Sequence, residues 1–248
     1  MTTDRPKLFS DPSPRPPVPE AGGGLPPFFP PVARRRVAIA LAILFGGGVL
    51  AHAWTPLRPL ALALTTPLLL LANGAVLLAV FDDSRAPRLR IWCLAAWALT
   101  VTLEIVGVAT GHIFGAYHYG PTLRGQVAGV PLLIGLNWVT LLLGAVALLE
   151  TGLPSSLPPL VRWWLVPLAS ALLLVAFDWI MEPIAVELRY WHWASWPQIP
   201  IRNYAAWLVI ALFLTLTLRV LRISVGTKLA RFYLLLQLAF FGLLRAFL

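Results

Sequence analysis

The sequence predicts an all-α membrane protein, a polytopic bundle of about seven transmembrane helices. Two observations lead to this prediction. Hydrophobic residues make up 59% of the 248 residues and charged residues only 12%, a balance that is too apolar for a soluble domain of this size. The apolar residues also fall in runs of roughly 18 to 25, the length that a helix needs to cross a hydrocarbon core about 30 Å thick. We therefore expect lipid to surround most of the chain.

The first 33 residues differ from the rest of the chain. They are rich in proline and glycine and show no apolar periodicity, which is typical of a disordered segment. We expect residues 1–33 to form a disordered cytoplasmic tail and residues 34–248 to form the transmembrane domain. The apolar runs place the seven spans at Val37–Trp54, Leu57–Phe81, Ile91–Thr110, Gly129–Glu150, Val161–Met181, Tyr204–Leu221 and Leu229–Phe247.

The basic residues predict how the bundle is oriented, since cytoplasmic segments of membrane proteins carry an excess of lysine and arginine. With the amino terminus inside, fourteen basic residues fall in inner segments and five in outer segments. The outer five are Arg58, Arg124, Arg189, Arg202 and Arg245. We therefore predict that the amino terminus is inside and the carboxyl terminus outside, in the cytoplasmic membrane of a bacterium or archaeon.

Several classes of function are disfavoured by the sequence. The formal charge of +9 does not indicate nucleic-acid binding, because the basic residues are scattered at helix ends. Cys93 is the only cysteine, so neither an intrachain disulfide nor a cysteine metal cluster can form. His112 and His118 lack a helical metal-ligand spacing, and the sequence contains no nucleotide-binding loop, metalloprotease motif or nucleophile elbow. We expect no metal and no cofactor.

Three acidic residues within the predicted spans are the first candidates for a functional role, because ionisable groups are costly in a membrane. Glu104 lies in the outer half of the third span. Asp178 and Glu182 close the fifth span, four residues apart and hence on one helix face. Pro183 follows them and is predicted to end that helix. All three acidic residues are therefore expected near the outer face of the membrane.

Polar and aromatic residues of three further segments are expected at the same level. They belong to the loop after the third span, to the first turns of the fourth span, and to the segment that joins the fifth span to the sixth. The candidates for contact with substrate or water are His112, Tyr117, Tyr119, Asn137, Trp138, Trp193, Asn203 and Trp207.

Structural explanations remain open for several of these residues. Glu104 could be the ion-pair partner of Arg124 or Arg202, Asp178 could have a similar structural role, and Glu182 could be solvated at the membrane boundary. Asn203 precedes an apolar run and could cap the sixth helix. Tyrosine and tryptophan side chains also gather at membrane interfaces as anchors.

The same segments carry a resemblance to a known family. The residues concerned are Glu104 with Gly107, Thr110-Gly111, Phe114-Gly115, Tyr117, Tyr119, Gly129-Val130-Pro131, Trp138, Asp178, Glu182-Pro183, Trp191, Trp193, Pro200, Asn203-Tyr204 and Trp207. In order and spacing they resemble the carotenoid biosynthesis membrane protein family, which includes carotenoid 1′,2′-hydratases and bisanhydrobacterioruberin hydratases. The resemblance covers roughly residues 91–212. Ala206 departs from the family pattern, in which we expect glycine, and Glu182-Pro183 replaces an aspartate-proline pair.

The resemblance implies a hydratase, which adds water to the terminal double bond of an acyclic carotenoid end and forms a tertiary alcohol without a cofactor. Such a reaction needs a proton donor, and a buried carboxyl group can supply the proton. Glu104 and Asp178 are the candidate acid–base pair, with Asn203 and Tyr117 positioning water. The implied partners are a carotenoid held in the bilayer, membrane lipids and other carotenoid enzymes. Two other hypotheses are a proton-coupled transporter and a scaffold that holds carotenoid enzymes.

Overall fold

Seven α-helices, each long and apolar enough to cross a membrane, make up most of the described residues, 30–247, of a computed structural model. They are α1 (Pro31–Ala53), α2 (Arg58–Ser84), α3 (Pro87–Thr110), α4 (Leu132–Gly152), α5 (Pro159–Glu187), α6 (Ile201–Val220) and α7 (Lys228–Phe247). The predicted seven-helix membrane bundle is confirmed. Of the predicted tail, residues 31–33 begin α1, and residues 1–29 lie outside the described part of the chain.

Proline and glycine define several helix ends. Proline occupies the first or second position of α1, α2, α3 and α5. It is tolerated there because the N–H that it lacks would have no acceptor within the helix. α3 ends at Gly111, whose φ of 65° lies in the left-handed region that glycine adopts without strain. The chain then enters the first of the two loops that border the candidate site.

α4 is the central helix of the bundle. It contacts α2, α3, α5, α6 and α7, and most of its residues are buried inside the bundle. At Gly144 the approach to α7 is so close that a Cβ would lie 2.5 Å from the carbonyl oxygen of Ala230. Small residues allow such contacts between membrane helices, where van der Waals packing replaces the hydrophobic effect as the attractive force. α4 therefore fixes the positions of the helices around it.

The described loops contain four short strands, which were not predicted from the sequence. They are β1 (Tyr117–Tyr119), β2 (Gln126–Val127), β3 (Val130–Pro131) and β4 (Trp191–Trp193). β1 pairs with β4 in antiparallel register, with Tyr117 opposite Trp193 and Tyr119 opposite Trp191. We refer to this pair as the strand clip. It joins the loop after α3 to the loop after α5 at one end of the bundle.

Pro183 does not end α5, so this prediction was wrong. The helix continues through Pro183 to Glu187. A proline within a helix deprives the carbonyl four residues earlier of its N–H donor, and here that carbonyl belongs to Trp179. Arg245 of α7 donates to it over 3.0 Å. A neighbouring helix thus supplies the missing hydrogen bond, which is a condition under which membrane helices tolerate proline.

Candidate active site

A cavity of about 360 Å³ lies inside the bundle beside the strand clip. Residues of all seven helices and of the loops line it. Glu104, Asp178 and Glu182 border it and are only 4%, 1% and 2% exposed. We refer to these three residues as the carboxylate cluster. Acidic side chains from the third and fifth spans therefore meet at one cavity.

Glu182 is surrounded by N–H donors. Trp191 Nε1 and Trp193 Nε1 both donate to Glu182 Oε2, over 2.9 and 2.7 Å. Asn203 Nδ2 donates to Oε1 over 3.2 Å. The alternative that Glu182 is solvated at the membrane boundary was wrong, because the continuation of α5 past Pro183 places the carboxyl group inside the bundle and under the strand clip.

Asn203 connects two members of the carboxylate cluster. Its side-chain amide donates to Asp178 Oδ2 over 2.8 Å as well as to Glu182, and its two N–H groups are sufficient for both bonds. The alternative that Asn203 caps α6 was wrong, because the cap position is held by Pro200 and no side chain caps the helix. Asn203 instead lies within the first turn of α6, where its side-chain amide reaches the acidic residues of α5.

Glu104 has hydroxyl groups as neighbours. The Tyr117 hydroxyl donates to Glu104 Oε2, and Tyr119 is a close neighbour of the same carboxyl group. Burial, followed by the neighbouring Glu104, raises the pKa of both tyrosines above the usual phenol value. Both side chains therefore remain protonated and can donate as well as accept hydrogen bonds.

The carboxylate cluster differs from the other carboxyl groups in its lack of basic partners. At the opposite end of the bundle, Asp82 and Glu150 form ion pairs with Arg34 and Arg219, at 2.7 and 2.6 Å. Among residues 30–247, no lysine or arginine forms an ion pair with the carboxylate cluster. The alternative that Arg124 or Arg202 pairs with Glu104 was therefore wrong. No set of side chains in this part of the chain has the arrangement of a metal site.

Three aromatic rings form a stack beside the carboxylate cluster. Trp138 lies against Trp207 with ring centroids 3.8 Å apart and planes at 16°. Phe114 lies against Trp207 at 5.1 Å and 21°. We refer to these rings as the aromatic stack, and all three border the cavity. Tyr117 and Trp193 extend the aromatic wall, with centroids 4.9 Å apart.

Two predicted residues lie away from the carboxylate cluster. Asn137 borders the cavity but belongs to a separate group, because Gln237, Tyr233 and Asn73 donate to its Oδ1 over 2.7, 3.1 and 3.3 Å. His112 is exposed and does not border the cavity. The other predicted contact residues, Tyr117, Tyr119, Trp138, Trp193, Asn203 and Trp207, all border it.

The profile of the carotenoid biosynthesis protein family matches residues 64–247, which is more than half of the chain and includes the carboxylate cluster, the strand clip and the aromatic stack. The chain belongs to this family. It is also similar to a bisanhydrobacterioruberin hydratase of Haloarcula japonica, with 32% identity over 123 residues that cover 47% of this chain and 41% of the relative. No solved structure matches the chain. As a family member, the protein is an integral multi-pass membrane protein of carotenoid biosynthesis.

Some residues of this carotenoid biosynthesis protein's cavity were missed as candidates. Trp191 and Phe114 were noted only as part of the resemblance, although Trp191 binds Glu182 and Phe114 completes the aromatic stack. Gln237 of the cavity and Asn73, which lies outside it and bonds to Asn137, were also missed. A lone amide inside an apolar run is itself a signal, because a polar group in lipid needs a partner. His52 is similar, since its ring lies at the cavity wall and is 5% exposed.

Proposed function

We propose that the protein is a carotenoid hydratase, which adds water to the terminal carbon–carbon double bond of an acyclic carotenoid end and produces a tertiary alcohol. The observation that supports this best is the carboxylate cluster, which is buried beside an aromatic stack in a membrane bundle and has no basic partner among residues 30–247. The name of the Haloarcula japonica relative indicates the same class of reaction for that protein. The carotenoid would lie in the bilayer, with its end in the cavity.

Glu104 is proposed as the proton donor because of the groups that surround it. A tyrosine hydroxyl can donate to a carboxylate and can accept from a carboxylic acid. Glu104 can therefore hold or release a proton without losing its hydrogen bond to Tyr117. The groups around Glu182 are N–H donors. They cannot accept a hydrogen bond from a protonated carboxyl group. Glu182 is accordingly proposed to act as an anion.

The reaction would proceed in two steps. Glu104 transfers its proton to the less substituted carbon of the terminal double bond, the π electrons form the new C–H bond, and the other carbon becomes a tertiary carbocation. A water oxygen then bonds to this cation, and Asp178 accepts the proton that the water loses. The sum is the addition of one water molecule, and passage of the proton from Asp178 back to Glu104 restores the site. No electrons are exchanged with a cofactor.

The aromatic stack would stabilise the carbocation. An aromatic face attracts a nearby cation by about 0.5–2 kcal/mol when water is excluded. Trp207 is the middle ring of the stack, so an outer ring such as Trp138, which is 8% exposed, would offer its face to the cation. The negative charge of Glu182, which borders the same cavity, would act in the same direction. Both effects would lower the barrier to protonation, because the cation forms in that step.

The test is expression in a host that makes lycopene, an acyclic carotenoid. We expect pigment extracts to gain a product heavier by one water, and Glu104→Gln to abolish it while leaving a folded protein. Glu187→Gln is the matched control, because this α5 carboxyl group is 56% exposed and lies outside the cavity. Normal product from Glu104→Gln would remove Glu104 from the mechanism. A transporter or a scaffold predicts no product of that mass from the wild-type chain.

A further inference from the structure

The cavity is open on one side of the bundle. Among its described lining residues, the exposed ones are all in α1, in α2 or directly before α2. They are Ile43, Gly47, Leu57, Leu60 and Leu64. We refer to these five residues as the mouth. The lining residues from α3 to α7 are buried or partly buried, so the mouth is the side on which the cavity meets its surroundings.

Four of the five mouth residues lie within helices long and apolar enough to span a membrane, so we infer that the mouth faces lipid. Ile43, Leu60 and Leu64 are 70%, 57% and 42% exposed and lie within helices that are long and apolar enough to span a membrane. Next to the mouth, His52 Nδ1 bonds to the Gly48 carbonyl oxygen over 2.7 Å, and the Thr65 hydroxyl donates to the Ala61 carbonyl oxygen over 3.0 Å. His52 Nε2 is buried and has no hydrogen-bond partner among the described residues. An apolar molecule could therefore pass between the bilayer and the carboxylate cluster without entering water.

The size of the cavity indicates why such an opening is needed. A volume of about 360 Å³ lies near the small end of the range of about 300–1,000 Å³ that encloses drug-sized ligands. It is large enough for the end of a carotenoid but not for its whole length. The remainder of a bound polyene would have to leave the bundle, and an apolar chain does so most favourably into lipid.

The α1 side of the mouth includes a glycine from a run of three. Gly46, Gly47 and Gly48 follow one another inside α1, although each glycine in a helix interior costs up to about 1 kcal/mol relative to alanine. A Cβ at Gly48 would lie 3.2 Å from the Phe240 ring, so close packing accounts for a glycine at position 48. A Cβ at Gly47 would meet no atom within 4 Å, so its lack of a side chain is not required by packing and leaves the cavity open.

We propose that the mouth between α1 and α2 binds the polyene chain of the substrate, which reaches the carboxylate cluster sideways from the bilayer. This inference rests on the proposed function for the identity of the substrate. It adds a binding site for the unreactive part of the molecule and assigns α1 a role in substrate binding. A polyene seated there would hold its terminal double bond at the inner end of the cavity.

Gly47→Trp tests the inference, with Gly46→Trp as a matched control. Neither position has an atom within 4 Å of a Cβ, but only Gly47 borders the cavity. We expect Gly47→Trp to reduce conversion of lycopene by at least about tenfold and Gly46→Trp to change it by less than about twofold. Thermal unfolding of both purified variants checks that they fold equally well.

A second measurement separates this inference from the proposed reaction. In the Glu104→Gln background, the lycopene that copurifies with the protein is measured by its absorbance per mole of protein. We expect Gly47→Trp to lower this ratio about tenfold and Gly46→Trp to leave it unchanged. Equal pigment content in the two tryptophan variants would overturn the inference, whether or not the wild-type chain hydrates lycopene. Loss of pigment only in Gly47→Trp, with no product from wild type, would instead overturn the hydratase proposal alone.

Discussion

Glu104, Asp178 and Glu182 share nearly complete burial but differ in the chemistry of their neighbours. Glu182 accepts from two indole N–H groups and one amide, Asp178 accepts from the same amide, and Glu104 faces tyrosine hydroxyls. Hydroxyl hydrogen bonds can reverse direction, whereas N–H bonds cannot. Carboxyl groups in unlike environments commonly divide acid and base roles, and here the donor types provide the difference.

Tyr117→Phe tests the importance of the hydroxyl next to Glu104. The substitution removes one hydrogen bond to the carboxyl group and keeps the ring that packs on Trp193 at 4.9 Å. A hydrogen bond to a charged group contributes about 1.5–3 kcal/mol, so we expect the rate of lycopene hydration to fall about 10- to 100-fold. The thermal midpoint should change little. A variant that unfolds at a much lower temperature, or one that keeps full activity, would contradict this role for the hydroxyl.

At the scale of elements, the helices were predictable and the strands were not. Each helix contains a long apolar run, which is a local signal, so length and composition were sufficient. The continuation of α5 past Pro183 depends on Arg245, which lies more than sixty residues away in sequence. The strand clip likewise pairs two three-residue segments from different loops. Each segment alternates aromatic residues with a histidine, Tyr-His-Tyr in one and Trp-His-Trp in the other, and this pattern is visible in the sequence. Their pairing depends on contacts between distant segments and is not visible there.

Gly120→Ala is expected to open the strand clip. Gly120 follows β1, its N–H donates to the Tyr190 carbonyl oxygen over 2.8 Å, and a Cβ there would lie 2.2 Å from the carbonyl oxygen of Arg189. Backbone atoms cannot move aside as a flexible side chain can, so we expect destabilisation of about 1–3 kcal/mol and weaker product formation. Both are measured on the purified protein, by thermal unfolding and by pigment analysis.

Gly226→Ala is the control for that experiment. A Cβ at Gly226 would meet no atom within 4 Å, and the residue lies in the exposed loop before α7. We expect its thermal midpoint and its product yield to equal those of the wild type. If Gly120→Ala were as stable and as active as Gly226→Ala, the close approach of the two loops would not matter for the site.

For the molecule as a whole, the candidate site was partly predictable because charge is costly in lipid. That rule alone selected Glu104 and Asp178, and the structure places both at one cavity. The rule could not identify the mouth, because the opening depends on how α1 and α2 pack and not on any unusual residue. It also gave no reason to separate Asn137 from the carboxylate cluster, since that distinction depends on the amides of Asn73 and Gln237.

In the proposed reaction, the orientation of the bundle would decide which compartment supplies the water. The excess of basic residues at one end predicts that this end is cytoplasmic, which would put the strand clip and the carboxylate cluster near the outer surface. His118 of the clip and Ser155 of the loop between α4 and α5 are both exposed, at opposite ends of the bundle. The native Cys93 is 6% exposed inside α3, so it should contribute little background labelling.

Cysteine labelling tests this orientation. We expect a membrane-impermeant maleimide to label His118→Cys in intact cells and Ser155→Cys only after the membrane is permeabilised, with the wild-type chain as the control for Cys93. The reverse pattern would place the carboxylate cluster at the cytoplasmic side. In that case the cytoplasm, rather than the exterior, would exchange water and protons with Glu104 and Asp178, and hydration would respond to cytoplasmic pH.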